Sequence, residues 1–104
     1  MKLIEKLSEY IEEEIESADG YINCALKYKE DNPMLAKMFY DLSVTELGTH
    51  VTALHDEVVR AITEYRNQHG DVPQDMQAVY DYLHERHIDD ANKIKLKQMQ
   101  YKNN

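Results

Sequence analysis

Apolar residues in this chain recur every three or four positions. Ile4, Leu7, Ile11, Ile15, Ala18, Ile22, Ala25 and Leu26 fall in one stripe when each residue is turned about 100° from the last, which predicts a long amphipathic helix with one buried face. Tyr10, Tyr21 and Tyr28 form a second line beside that stripe, and Glu14 sits at the seam between the two. Of the acids in EYIEEEIES, only Glu14 is turned inward by this wheel; Glu12, Glu13 and Glu16 are placed toward the flank or solvent.

The middle of the chain is striped twice. Leu35, Phe39, Leu42, Glu46 and Ala53 lie within about 40° of one line, with Thr49 and His50 on its shoulders. Val44, Leu47, Val51, Leu54, Val58, Ile62 and Tyr65 form a second stripe about 130° around, so this helix is expected to be covered from two sides. Gly20 and Gly48 fall on outer faces. The last third aligns Met76, Val79, Tyr80, Leu83, His87 and Ile94 on one face, with His84, Ile88 and Ala91 on one flank and Asp90 on the other.

Two places interrupt the pattern. In EDNP, Asn32 can cap a helix and Pro33 suits its first turn; in NQHGDVPQD, Gly70 can end a helix and Asp71 with Pro73 can start another. The expectation is an all-α single domain with helices at about 2–30, 33–68 and 73–101, an antiparallel hairpin followed by a third long helix. The middle helix would be about 50 Å long. A second copy is expected to cover what the chain's own helices leave open, giving a homo-oligomer built on dimers.

Composition supports this picture and removes several functions. Three glycines, two prolines and no tryptophan in 104 residues leave little material for a turn-rich β fold. Cys24 is the single cysteine, which rules out a disulfide within the chain, and no signal-type or spanning apolar run is visible, so a cytoplasmic protein without a membrane segment is expected. The net charge is -8, most of it in the first third, so phosphate backbones would be repelled and no nucleic-acid partner is expected. The four lysines of NKIKLKQMQYK read as cations opposing the negative end of a helix dipole.

Candidate chemistry begins with Glu46. A carboxylate set in an apolar stripe costs several kcal/mol if it stays charged and alone, so it needs a partner. A divalent cation would serve, with His50 supplying a nitrogen one turn on and Glu14 a carboxylate from the neighbouring helix; such a mixed set suits iron, manganese or zinc better than calcium. The alternative is a hydrogen bond from His50 or a tyrosine hydroxyl, with no metal. His84, His87 and Asp90 form a weaker second candidate cluster, in which His87 also reads as a hydrogen-bonded core histidine. His55 and His69 read as surface residues. There is no phosphate loop or nucleophile elbow, and Cys24 lies off the inward stripe with no evident base, so hydrolytic and acyl-transfer chemistry are not supported.

At these residues the chain resembles half of a ferritin-like carboxylate bundle, with a rubrerythrin-like stretch in NPMLAKMFYDLSVTELGTH. That family places an inward glutamate on one helix and a glutamate followed within a turn by histidine on the next, and two such hairpins surround a pair of iron or manganese ions. Glu14 in IEEEI, Glu46 and His50 match these positions, over roughly residues 4 to 66. The resemblance implies a metal site assembled between subunits, as in encapsulated ferritins, and a ferroxidase-like oxidation of ferrous ion. The chain departs from the family in having E-x-x-x-H where E-x-x-H is usual, in having one hairpin, and in carrying a third helix. The reading that does without the resemblance is a metal-free helical module for assembly or partner binding.

Overall fold

The computed structural model describes residues 1–103 and contains, among them, only helices and turns. Helix α1 spans Lys2–Tyr28. After a short turn, Asn32 accepts a hydrogen bond from the Leu35 amide and Pro33 opens α2, Pro33–Thr45, as the cap signal predicts. The backbone then continues without a break through a π-helical segment, Glu46–Val51, into α3, Thr52–His69. Gly70, at φ +82°, turns the chain out of α3, and α4 runs from Gln74 to Lys102.

Three rods therefore lie side by side in a body 56 × 18 × 17 Å. Contacts fix their directions. The start of α1 packs with the end of α3 and the start of α4 through Ile4, Ile62, Val72 and Tyr80. The end of α1 meets the start of α2 where Tyr21 and Tyr28 stack on Phe39, and Tyr101 near the end of α4 stacks on Tyr40. The third helix thus folds back on its own chain, in line with α1.

The main core is the α1 stripe of Ile11, Ile15, Ala18, Ile22 and Ala25, closed by Leu47 and Ile94, with Phe39, Tyr40, Val51, Leu54 and Val58 partly buried against it. Burying these side chains supplies the dominant driving force, at about 25 cal/mol per Å² of apolar surface. Small residues allow close approach at one level. Ser43 is fully buried beside Ala18 and Ala36; its hydroxyl donates to the Ala18 carbonyl at 2.8 Å and accepts from the Gln98 amide at 3.0 Å, joining three helices in one polar contact.

The second rod differs from the uniform wheel. Leu42 and Ala53, expected on the inward line, are exposed, while Ser43 and Ala36 take the buried positions. Size and hydrogen bonding decide this: a serine with two partners fits where the helices come closest, and a leucine does not. The Gly20 and Gly48 positions open to free space, so neither marks a close approach within the chain.

Candidate metal centre

Glu14, Glu46 and His50 come together where the π segment lies against α1. One ligand-type atom from each lies within 4.8 Å of the others, and among the described residues this is the one such group of three. His50 Nδ1 is 3.0 Å from Glu46 Oε2 and 3.6 Å from Glu14 Oε2. The imidazole donates to Glu46 across the first of these distances. Among the described residues neither carboxylate has a lysine or arginine within ion-pair distance, so the imidazole is their common counterpart.

Burial grades across the group. The Glu46 side chain is 16% exposed, Glu14 34% and His50 48%. Glu46 is therefore turned inward as its place in the apolar pattern predicts, while the group as a whole opens to the surface. Two donors on one ion at about 2.0–2.2 Å each stand at most about 4.4 Å apart, so small side-chain adjustments bring all three onto one cation. The donor set of two carboxylates and one imidazole is of the kind that holds iron, manganese or zinc. A cation seated there would take the place of the proton that now joins His50 to Glu46.

The π segment explains how E-x-x-x-H achieves this. Its hydrogen bonds skip one residue more than in an α-helix, so the turn per residue falls from about 100° to about 80°. Four such steps leave His50 about 40° short of Glu46, whereas four α-helical steps would carry it about 40° past. Three α-helical steps, the E-x-x-H spacing, would leave it about 60° short. The wider turn thus places the imidazole on the side of Glu46 that a three-residue spacing in a regular α-helix would give. The E-x-x-x-H spacing was visible in the sequence; its consequence for the backbone was not, because a wheel of fixed period cannot represent it.

The second candidate cluster does not converge. His84 Nδ1 lies 3.1 Å from His55 Nε2, His87 Nε2 lies 3.5 Å from Glu12 Oε1, and Asp90 faces a separate groove with Lys93 and Lys97. Residues three apart share a face, but here each is claimed by a different neighbour. His87 is a core histidine, though not a satisfied one: its Nε2 is buried and has no aligned hydrogen-bond partner. Burial pushes its pKa below the usual imidazole value, opposed by the nearby Glu12.

Glu12 is half-buried on the flank, where it faces Arg86 and His87. One expectation about an outlying residue is corrected here. His55 is half-buried and paired with His84, because α4 lies over the α3 face that the sequence pattern left free. His69 lies against Tyr65 with the ring planes tilted by 45° at the exposed end of α3, and Cys24 is half-buried. In the lysine-rich end, Lys97 reaches Asp19 at 2.7 Å and Asn23 at 3.0 Å, so part of that charge is spent on the acidic first helix. No helix among the described residues is long and apolar enough to cross a membrane.

Compared with known proteins, the chain matches no protein-family model, no curated protein and no solved structure. The reading of the site therefore rests on its residues and their geometry.

Proposed function

We propose that this is a ferritin-like metal-handling protein that holds iron, or in its place manganese or zinc, between Glu14, Glu46 and His50. The observation that carries the reading is the convergence of two carboxylates and one imidazole within 4.8 Å from two helices, one carboxylate being largely withdrawn from water. Two negative charges sharing one imidazole leave a demand for positive charge that a divalent cation meets. Three protein donors leave coordination positions open, and a homo-oligomer answers that need: a two-fold partner laid on this face would bring a second set of the same residues. Met34, Met38 and Leu42, all exposed, line one patch of α2 and offer the apolar surface such a contact buries.

In this reading ferrous ion is the substrate, and oxygen or peroxide the oxidant. The bound metal supplies the electron-transfer chemistry. Glu14 and Glu46 attract and hold the cation by charge, and His50 adds a nitrogen donor that sets its position. Tyr10, one turn before Glu14 on α1, is the nearest tyrosine along that helix. A reducing cytoplasm suits a protein whose single cysteine is free.

The test is metal content. Protein purified without chelator is expected to carry stoichiometric iron, manganese or zinc per chain, and Glu46→Ala to lose it with its helical circular dichroism intact. A parent protein that takes up no added ferrous ion, or a variant that keeps its full metal load, would overturn the proposal. A second reading, a metal-free helical interaction module, is favoured by the 3.0 Å hydrogen bond that already joins His50 to Glu46. Under it, Glu46→Gln leaves the native mass unchanged while Met38→Glu lowers it.

A further inference from the structure

His55 on α3 and His84 on α4 face one another across the cleft between those helices. His55 Nε2 is 3.1 Å from His84 Nδ1, with ring centroids 4.6 Å apart and planes tilted by 46°. Both rings line two cavities, of about 200 Å³ toward Ile4 and Tyr80 and about 210 Å³ toward Leu47 and Ala91. The Glu14, Glu46 and His50 group involves neither of them.

We infer that His55 and His84 form a second cation site, a two-nitrogen clamp for a borderline divalent ion of the zinc, nickel and copper class. The spacing fits. With metal–nitrogen bonds of about 2.05 Å, nitrogens 3.1 Å apart subtend about 100° at the ion, between the square and tetrahedral angles these metals adopt. The ring orientation fits as well. Two imidazoles pointing straight at each other in a hydrogen bond would set their centres about 5.4 Å apart, and two converging on one ion about 4.8 Å. The observed 4.6 Å belongs with the convergent arrangement.

The donor chemistry selects the ion. Neutral imidazoles without a carboxylate favour zinc, nickel or copper over magnesium, calcium or manganese, which seek oxygen. The acid in the cleft lining, Asp81, accepts from the Gln77 amide at 2.9 Å. Binding needs no net loss of a proton from neutral rings: the ring that now donates keeps its proton on its other nitrogen, and both facing nitrogens then present lone pairs. His84 is solvent-exposed, so water completes the shell. The ion would tie α3 to α4, which among the described residues share one other side-chain hydrogen bond, from Arg66 to Gln77.

Thermal unfolding of the full chain carrying Glu46→Ala, which removes the most buried donor of the first site, tests this. Nickel or zinc chloride at about a hundred times the dissociation constant is expected to raise Tm by about 10 °C, EDTA to reverse it, and His55→Gln or His84→Gln to abolish it. His84 is exposed, so His84→Gln should leave the metal-free Tm in place and serves as the deciding variant. The electron paramagnetic resonance of added Cu²⁺ should show two nitrogen ligands that His84→Gln reduces. A Tm indifferent to both ions, or a shift that survives His84→Gln, would refute the clamp. Metal loss caused by Glu46→Ala alone bears only on the first site.

Discussion

Around Ala18, Ile22 and Ala25, the first helix lies against Ala36 and Ser43 with all of these residues fully buried, whereas along α3 no residue is fully buried and two cavities run beside it. The same α1 stripe faces both regions. What differs is the opposing surface. At the α2 level, alanines and a serine bonded to two helices let the backbones approach closely. At the α3 level, the rings of Tyr65, Tyr80, His55 and His84 hold the rods apart and leave space between them. The π segment stands at the border, and two of the three candidate metal donors, Glu46 and His50, sit on it. The comparison teaches that one amphipathic stripe can serve a tight and an open packing at once, and that polar chemistry collects where one gives way to the other.

The largest expected effect separates the two regions by stability. Ile22 is fully buried, so Ile22→Ala leaves a cavity that close-packed neighbours cannot fill and should cost about 2–5 kcal/mol. Ile62 is half-buried at the edge of the α3 cleft, where the side chain already borders open space, and Ile62→Ala should cost less than about 2 kcal/mol. Urea denaturation of both variants measures the difference. Equal losses would mean that the cleft closes in solution and the contrast between the two regions fails.

A smaller effect comes from His87, in the wall of the open region. Its folded-state pKa lies below the ordinary value of about 6.5, because burial disfavours the charged ring more than Glu12 favours it; Arg86 lowers it further and Asp90 raises it. The unfolded chain therefore takes up the proton first as pH falls. Stability contributed by neutral His87 is whole above pH about 6.5, declines below it, and levels off once pH drops under the folded-state pKa. His87→Gln should flatten the part of the stability profile between pH 7 and 5 that this residue causes, as followed by denaturant midpoints. A profile unchanged by the substitution would place the proton elsewhere.

The rods themselves were legible in the chain, because caps and breakers act locally. Asn32 with Pro33, and Gly70 with Pro73, mark ends within two residues of those observed. The inward turn of Glu46 was legible too, since it falls on one line with Leu35 and Phe39, both partly buried. Three features were not. Ser43 looks polar in isolation, and only the closeness of Ala18 and Gln98 makes it core. His55 and His84 are 29 residues apart and meet only once α4 has folded back over α3. Glu12 gains its partners in the same way, from the helix that a single-helix wheel leaves out. Local rules carry the ends and faces of helices; the pairings belong to the tertiary fold.

The smallest expected effect on stability tests the border itself. Gly48 lies within the π segment, open to space, and deleting it converts E-L-G-T-H to E-L-T-H. If the wide turn exists to absorb one extra residue, its removal lets α2 run into α3 as a regular helix with everything downstream in the same phase. Stability should then change by no more than about 1 kcal/mol, since a glycine unfavourable in a helix interior is lost together with the bulge. His50 would stand three residues after Glu46 and on the same side of it, so uptake of ferrous ion per chain should match the parent. Loss of metal with the fold intact would show that the site needs the wide turn and not merely the direction it gives. A large drop in stability would show instead that the segment sets the spacing between the tight and open regions, and the border would then be a structural device in its own right.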